Sequence, residues 1–235
     1  MGLFLALEGG DGSGKGTQAK LTVEHARNEL GLNVLELDFP QYGKPSAREV
    51  EKYLNGDYGG INDVHPDLAS LPYSLDRFAN ASELRDFLQD PHGLAVANRY
   101  SASNFAHQAA KLKTPEERAA FYERQMWIEH VLLGIPRPDL NILLLVSSDI
   151  AQANVDSKDP STRSYTTASR DIHEADPTHL DKATANYREL AELYPQWFTP
   201  VQTMTNLAIM RSREEIQLDI RTLLYQKLEE LSIRT

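Results

Sequence analysis

A strand-length apolar run, Leu3–Leu7, leads directly into Gly9-Gly10-Asp11-Gly12-Ser13-Gly14-Lys15-Gly16-Thr17, and an amphipathic stretch, Lys15–Leu30, follows. No other feature of the chain restricts its fold as much. Glycines at this density let successive backbone N–H groups turn inward around an anion, and a helix starting at the lysine adds the partial positive charge of its N-terminus. Strand, loop and helix in this order make a phosphate cradle, with Lys15 placed to reach β- and γ-phosphoryl oxygens. The strict pattern puts Ser or Thr directly after the lysine; here Gly16 intervenes, and metal or phosphate contact falls to Thr17. The segment predicts a nucleoside triphosphate held by Gly12, Ser13, Gly14, Lys15, Gly16 and Thr17. It does not choose between a hydrolase, a switch and a kinase.

Further apolar runs of strand length, Val34–Leu37, Leu94–Ala97, Ile142–Val146 and Val201–Thr205, alternate with helical patterns. The predicted helices after the first are Ser46–Leu54, Pro66–Phe87, Ser101–Leu112, Pro115–Leu133, Thr178–Leu193 and Arg213–Leu231. Near-continuous apolar strands separated by long helices mean a parallel sheet covered on both faces. The expected architecture is α/β: a P-loop NTPase-type, doubly wound, five-stranded parallel sheet with helices on both faces and a lid loop. In such sheets ligands bind at the carboxyl ends of the strands. No repeat or linker divides the sequence, so residues 1–235 read as a single domain. Val155–Pro177 is polar, carries Lys158, Arg163 and Arg170, and lacks periodicity; it is too long for an ordinary connection and reads as the lid.

Charge narrows the partners. With 24 Lys+Arg against 34 Asp+Glu the formal net charge is −10, which gives no general attraction to nucleic acid or an anionic membrane. Phosphate chemistry must be confined to one locally basic pocket. The longest aliphatic run, Ile142–Val146, is far short of the roughly 20 residues that span a bilayer. The opening MGLFLALEGGDG has no basic n-region and its apolar stretch breaks at Glu8, so a signal peptide is not expected and a cytoplasmic location is. There is no cysteine. His107, His173 and His179 have no metal-ligand spacing with one, and a zinc site is not expected.

Four segments are specific enough to point to a family. Glu8–Thr17, Phe39-Pro40-Gln41-Tyr42, Leu75-Asp76-Arg77 and Asn98-Arg99-Tyr100-Ser101-Ala102-Ser103-Asn104 resemble, in order, the phosphate loop and acceptor segments of the thymidylate kinases. Arg170-Asp171-Ile172-His173-Glu174 resembles the end of that family's lid. The resemblance implies a Mg²⁺-dependent, ATP-dependent nucleotide kinase that phosphorylates dTMP in dTTP biosynthesis, working as a homodimer. The Pro66–Phe87 and Pro115–Leu133 helices could supply the dimer interface or belong to the monomer core.

By position, it implies that Arg77 and Arg99 hold the acceptor phosphate, Tyr73 stacks on the pyrimidine, Asn104 reads its edge with Ser103 alongside, and Phe39 and Tyr42 line the pocket. Asp11 holds the sugar 3′-hydroxyl or a metal-bound water, and His173 and Glu174 close over the acceptor sugar. From its place one turn after Ser103 and next to Gln108, His107 is expected on the deoxyribose side of the pocket. Since Ser13 fills the phosphate-loop position where some members carry arginine, the charge over the transferred group falls to the lid, through Arg163 and Arg170. The catalytic set is then Lys15, Arg99, Arg163, Arg170 and Asp11.

Independently of the family, the four-residue spacing of Tyr73 and Arg77 puts a ring and a cation on one helix face. Arginine's fork suits a phosphate, and an amide suits a base edge. One departure stands out. Asn98 replaces the usual Asp before the strand-three arginine, so the metal site must lean on Asp11, Thr17, Glu8 and the ATP phosphates. The alternatives are another nucleoside or deoxynucleoside monophosphate kinase, or, because of Asn98, a non-catalytic nucleotide-binding module.

Overall fold

Each predicted strand forms, and in a computed structural model the five lie parallel in the order β2-β3-β1-β4-β5. The strands are β1 (Leu3–Glu8), β2 (Asn33–Asp38), β3 (Gly93–Asn98), β4 (Leu140–Leu145) and β5 (Thr199–Gln202). The structure describes residues 1–147, 150, 172–173, 176–206 and 209–231. The helices among them are α1 (Lys15–Asn28), α2 (Arg48–Leu54), α3 (Pro66–Ala79), α4 (Ala81–Phe87), α5 (Ser101–Ala109), α6 (Pro115–Trp127), α7 (Pro177–Leu193) and α8 (Arg213–Glu230).

Strand alternation sorts the core into two layers. Leu3, Leu5 and Leu7 of β1, with Leu94, Val96, Ile142 and Leu144, face Val23 and Ala26 of α1 and Ile216, Ile220 and Leu224 of α8. On the opposite face Phe4, Ala6, Ala95 and Ala97 pack with Leu84 of α4, while Leu143 and Leu145 pack with Phe105 of α5, Phe121 of α6 and Leu190 of α7. The chain leaves β1 toward β2 but leaves β3 toward β4 on the other side. Strand order therefore reverses between β1 and β3, the crevice where a doubly wound sheet binds its ligand.

Three expectations are corrected in detail. Pro66–Phe87 is two helices, because the Asn80 backbone N–H bonds back to Arg77 and its side chain donates to the Asp76 carbonyl, ending α3. α6 continues not as α-helix but as a π turn, Ile128–Leu132, in which the Leu133 N–H reaches the Ile128 carbonyl. β5 starts earlier than Val201, at Thr199, since Pro200 needs no donor on an edge strand. Val155–Pro177, the segment expected to be a lid, lies outside the described residues except near its end, where the Ile172 N–H bonds to the Leu54 carbonyl and Ile172 packs on Val50, Tyr53 and Leu54.

Candidate active site

The phosphate loop takes the geometry its glycines permit. Gly9, Gly12 and Gly14 all have positive φ, and Gly14 caps α1 in the left-handed region at φ 88°. Gly9 is also fixed sterically: a Cβ there would lie 2.7 Å from the Leu144 carbonyl oxygen. Lys15 folds over the loop, donating to the Gly10 carbonyl at 3.1 Å and to Asp11 Oδ1 at 3.4 Å.

Arg99 follows β3 with φ 67°, a left-handed conformation uncommon for a residue other than glycine and usually found where function demands it. Its backbone N–H bonds to Leu7 of β1, and its guanidinium donates to the Gly9 carbonyl, Ser103 Oγ and Asp11. Burial opposes the charge, but Asp11, Tyr187 and Glu8 offset it and hold Arg99 above its ordinary range. Asp11 thus organises two cations, Lys15 and Arg99.

Glu8 has a different role from the one expected. Completely buried, it accepts from the backbone N–H groups of Tyr100, Ala102 and Ser103 at 2.8, 2.9 and 3.1 Å and from Ser103 Oγ at 2.5 Å. It caps the N-terminus of α5 from β1, satisfying donors that a helix start leaves unpaired. Burial raises its pKa, with Ser103 and Arg99 opposing. Both of its oxygens are taken up by these four donors. Ser103 is likewise occupied, between Glu8, Arg99 and the Tyr187 hydroxyl.

Arg77 is 3% exposed and makes a two-pronged ion pair with Glu129, which is 0% exposed and sits in the π turn. Such turns recur at functional sites. Glu129 also accepts from Ser74 at 3.0 Å, Ser101 at 2.7 Å and Asn104 Nδ2 at 3.3 Å, so α3 and α5 are tied through one carboxylate. Burial would raise its pKa, but Arg77 outweighs burial and holds it below the usual carboxylate range. Sequence reading missed Glu129. Its one signal was a carboxylate amid the apolar Trp127–Leu133 stretch. Asp76 is no solvated partner of Arg77; it accepts from the Gln41 N–H and Ser46 Oγ, anchoring the segment after β2.

Asn104 Oδ1 is buried and has no hydrogen-bond partner among the described residues. Tyr73 is half-buried beside Tyr53, with ring centroids 6.3 Å apart, and Phe39 stands edge-on to Tyr100 at 5.4 Å. Asn98 lies in register with Asp38 of β2 and donates to its Oδ1 at 3.0 Å, while Asn98 Oδ1 is buried with no hydrogen-bond partner among the described residues. Burial raises the Asp38 pKa, with Arg99 and Lys15 opposing. A carboxylate thus stands beside the position where the resemblance leads one to expect it, one strand away. Sequence reading missed Asp38 too.

One cavity of about 1190 Å³ runs from Arg211–Arg213 past Asp11, Lys15, Asp38 and Asn98 to Tyr73, Asn104 and His173. Tyr42, Arg77, Arg99, Ser103, Phe39 and His107 line it as well. Arg163, Arg170 and Glu174 lie outside the described residues. His107, His173 and His179, far apart in sequence, are brought together, with the His107 and His173 rings stacked at 5.2 Å. No helix among the described residues is long and apolar enough to cross a membrane.

The chain is similar to known proteins along most of its length. The family model described as thymidylate kinase matches residues 7–216. A thymidylate kinase of Mycobacterium tuberculosis is 33% identical over 192 residues, 80% of this chain and 86% of that one. A probable thymidylate kinase of Saccharolobus solfataricus is 32% identical over 152 residues, 65% of this chain and 69% of that one. The structure of a thymidylate kinase from Candida albicans shares the fold, with a TM-score of 0.67 over 96% of this chain and 92% of that one at 18% identity. With the phosphate loop and both site arginines inside the matched span, the chain belongs to the thymidylate kinase family and is an ATP-dependent nucleotide kinase.

Proposed function

We propose that the protein moves the γ-phosphoryl group of ATP to dTMP, giving ADP and dTDP. The observation that carries this reading is one cavity with two anion-holding ends: Lys15 in the phosphate loop, and Arg77 with Arg99 on the acceptor side. A typical ligand pocket has roughly 300–1,000 Å³. At about 1190 Å³ this cavity has room for two nucleotides meeting at their phosphates.

Phosphoryl transfer asks little covalent chemistry of a protein; it needs in-line positioning and positive charge on the migrating oxygens. Lys15 and the loop N–H groups hold the donor phosphates. Arg77, oriented by Glu129, holds the acceptor phosphate, and Arg99, oriented by Asp11, bridges the two. Asn104 offers Oδ1 to the thymine N3–H, and its shared Nδ2 faces a base carbonyl, with Tyr73 against the ring. Arg163 and Arg170 of the lid complete the charge and exclude water, and Glu174 closes over the sugar.

The donor set fits Mg²⁺, a hard ion that takes oxygen ligands. Asp38, Asn98 Oδ1, Thr17 and Asp11 would hold it, with water and triphosphate completing the shell. When bound, it would neutralise negative charge on the triphosphate. Asp38 supplies the carboxylate that Asn98 lacks, which removes the motive for a non-catalytic reading. The cation-lined pocket suits nucleotides, and the −10 charge of the chain disfavours nucleic acid. Leu68, Leu71, Leu75 and Phe78, three or four residues apart along one side of α3, are exposed, as are Trp127, Val131 and Leu132, and exposed apolar side chains of this kind suit a homodimer face rather than monomer core.

An ADP-release assay over dTMP, dUMP, AMP, GMP and thymidine tests the reading. The rate with dTMP is expected to exceed all others; a rate no higher than theirs overturns the choice of acceptor.

A further inference from the structure

We propose that His107, His173 and His179 form a three-histidine site for a zinc-class divalent transition-metal ion, at the acceptor end of the cavity and separate from the Mg²⁺ of phosphoryl transfer. The three residues come from α5, the segment ending the lid, and α7, and all are buried. One potential ligand nitrogen from each lies within 4.8 Å of the other two. His107 Nδ1 and His179 Nε2 are 3.4 Å apart. That is the edge of a tetrahedron around an ion with metal–nitrogen bonds of about 2.0–2.1 Å. Bringing in the third nitrogen takes about 1.5 Å of side-chain movement from the outer limit of those separations.

Acceptor binding does not account for this cluster. His107 and His173 line the cavity, but His179 stands behind them, its ring 4.7 Å from His173 and 5.5 Å from His107. Two rings against a nucleoside need no third imidazole at their back. An all-imidazole set suits zinc, copper or nickel and not the hard ions Mg²⁺ or Ca²⁺. Only neutral imidazole ligates, and burial holds all three below the ordinary histidine range, His179 at about 4.

The surrounding charges are mixed. Lys111, Lys182, Arg99 and Lys15 act against a cation, and Asp11 and Asp176 act for it. Lys111 is itself easily deprotonated, since burial brings its pKa to about 8. Its Nζ donates to the Tyr53 hydroxyl, which lies 3.2 Å from His173 Nε2. Three protein ligands would leave a fourth position for water or for a hydroxyl of a bound ligand. An ion here would pin the end of the lid segment to α5 and α7 and set the shape of the sugar end of the pocket.

The test uses tag-free, chelator-treated full-length protein and needs no turnover. Titration with Zn²⁺, followed by elemental analysis after dialysis, is expected to leave one ion per chain. Co²⁺ is expected to give the intense visible bands of a four-coordinate site. His179→Gln, checked for folding by circular dichroism, should weaken Zn²⁺ binding by about 100-fold or more. A wild-type protein that retains no zinc, or a pale six-coordinate Co²⁺ spectrum, overturns the site. So does unchanged affinity in His179→Gln, which would locate the ion on other histidines. Should that variant fail to fold, the wild-type Co²⁺ spectrum alone decides.

Discussion

The two ends of the cavity are built by opposite means. At the proposed donor end the groups on offer are backbone N–H groups of a contiguous loop and the side chain of Lys15, which bonds to residues four and five positions before it. At the acceptor end the groups are side chains held by partners far away in sequence: Arg77 on Glu129, 52 residues later, and Ser103 on Glu8, 95 residues earlier. A loop of backbone donors is indifferent to most side-chain changes. A buried charge network is a unit in which removing one member leaves another unpaired.

That difference predicts where function and stability separate. Lys15→Met removes a charge acting mainly on the transferred group, and kcat should fall by on the order of 10⁴-fold, about 5.4 kcal/mol, with the melting temperature unchanged. A coupled assay and a thermal melt check it; a large loss of stability would mean that the donor loop, too, depends on side-chain pairing. Glu129→Ala should do the reverse. It strands Arg77 in a buried position and should cost about 3–5 kcal/mol of stability in denaturant titration. In the milder Glu129→Gln variant KM for dTMP should rise several-fold more than KM for ATP; equal rises would show that the two ends are one site.

The same contrast explains what could be read from the sequence. The sheet, its order of elements and the phosphate loop depend on local periodicity and on consecutive glycines, and both are visible along the chain. Arg77, Arg99 and Asn104 could be named because they stand in contiguous segments. Glu129 and Asp38 could not, since each acquires its role from a partner across the fold, Arg77 in one case and Asn98 in the other. Glu8 was named for the wrong reason: next to a phosphate loop a carboxylate reads as a metal ligand, and only the three-dimensional meeting of β1 with the start of α5 reveals a cap. The three histidines, at positions 107, 173 and 179, have no spacing that betrays their proximity.

A smaller effect is expected where the two ends meet. Asp38→Asn leaves two amides side by side at the junction of β2 and β3, and half-saturating Mg²⁺ should rise about tenfold, roughly 1.4 kcal/mol. The exchange Asp38→Asn with Asn98→Asp restores one carboxylate in a similar place and should recover most of the loss. Mg²⁺ titration of the rate distinguishes the cases. Failure of the exchange to recover would show that Asp38 serves its strand pairing and not the ion.

The smallest effect concerns Lys111, at the edge of the acceptor end, where burial lowers the ammonium pKa from 10.5 to about 8. A lysine harder to protonate in the folded state than in the unfolded one opposes folding wherever both forms are charged. Below about pH 8 that penalty is complete. As pH rises from 8 toward 10.5 the folded protein sheds the proton while the unfolded chain keeps it, so the penalty fades and stability rises with pH. Lys111→Met never carries the penalty, though it loses the bonds to Tyr53 and the Val64 carbonyl at every pH. Wild type should therefore gain on the variant between pH 7 and pH 10. Because the group is only partly buried, the gain should be about 1 kcal/mol rather than the full value of the shift. Denaturant titrations of both proteins at the two pH values measure it. A difference independent of pH would mean that Lys111 keeps its charge in the folded protein at no cost.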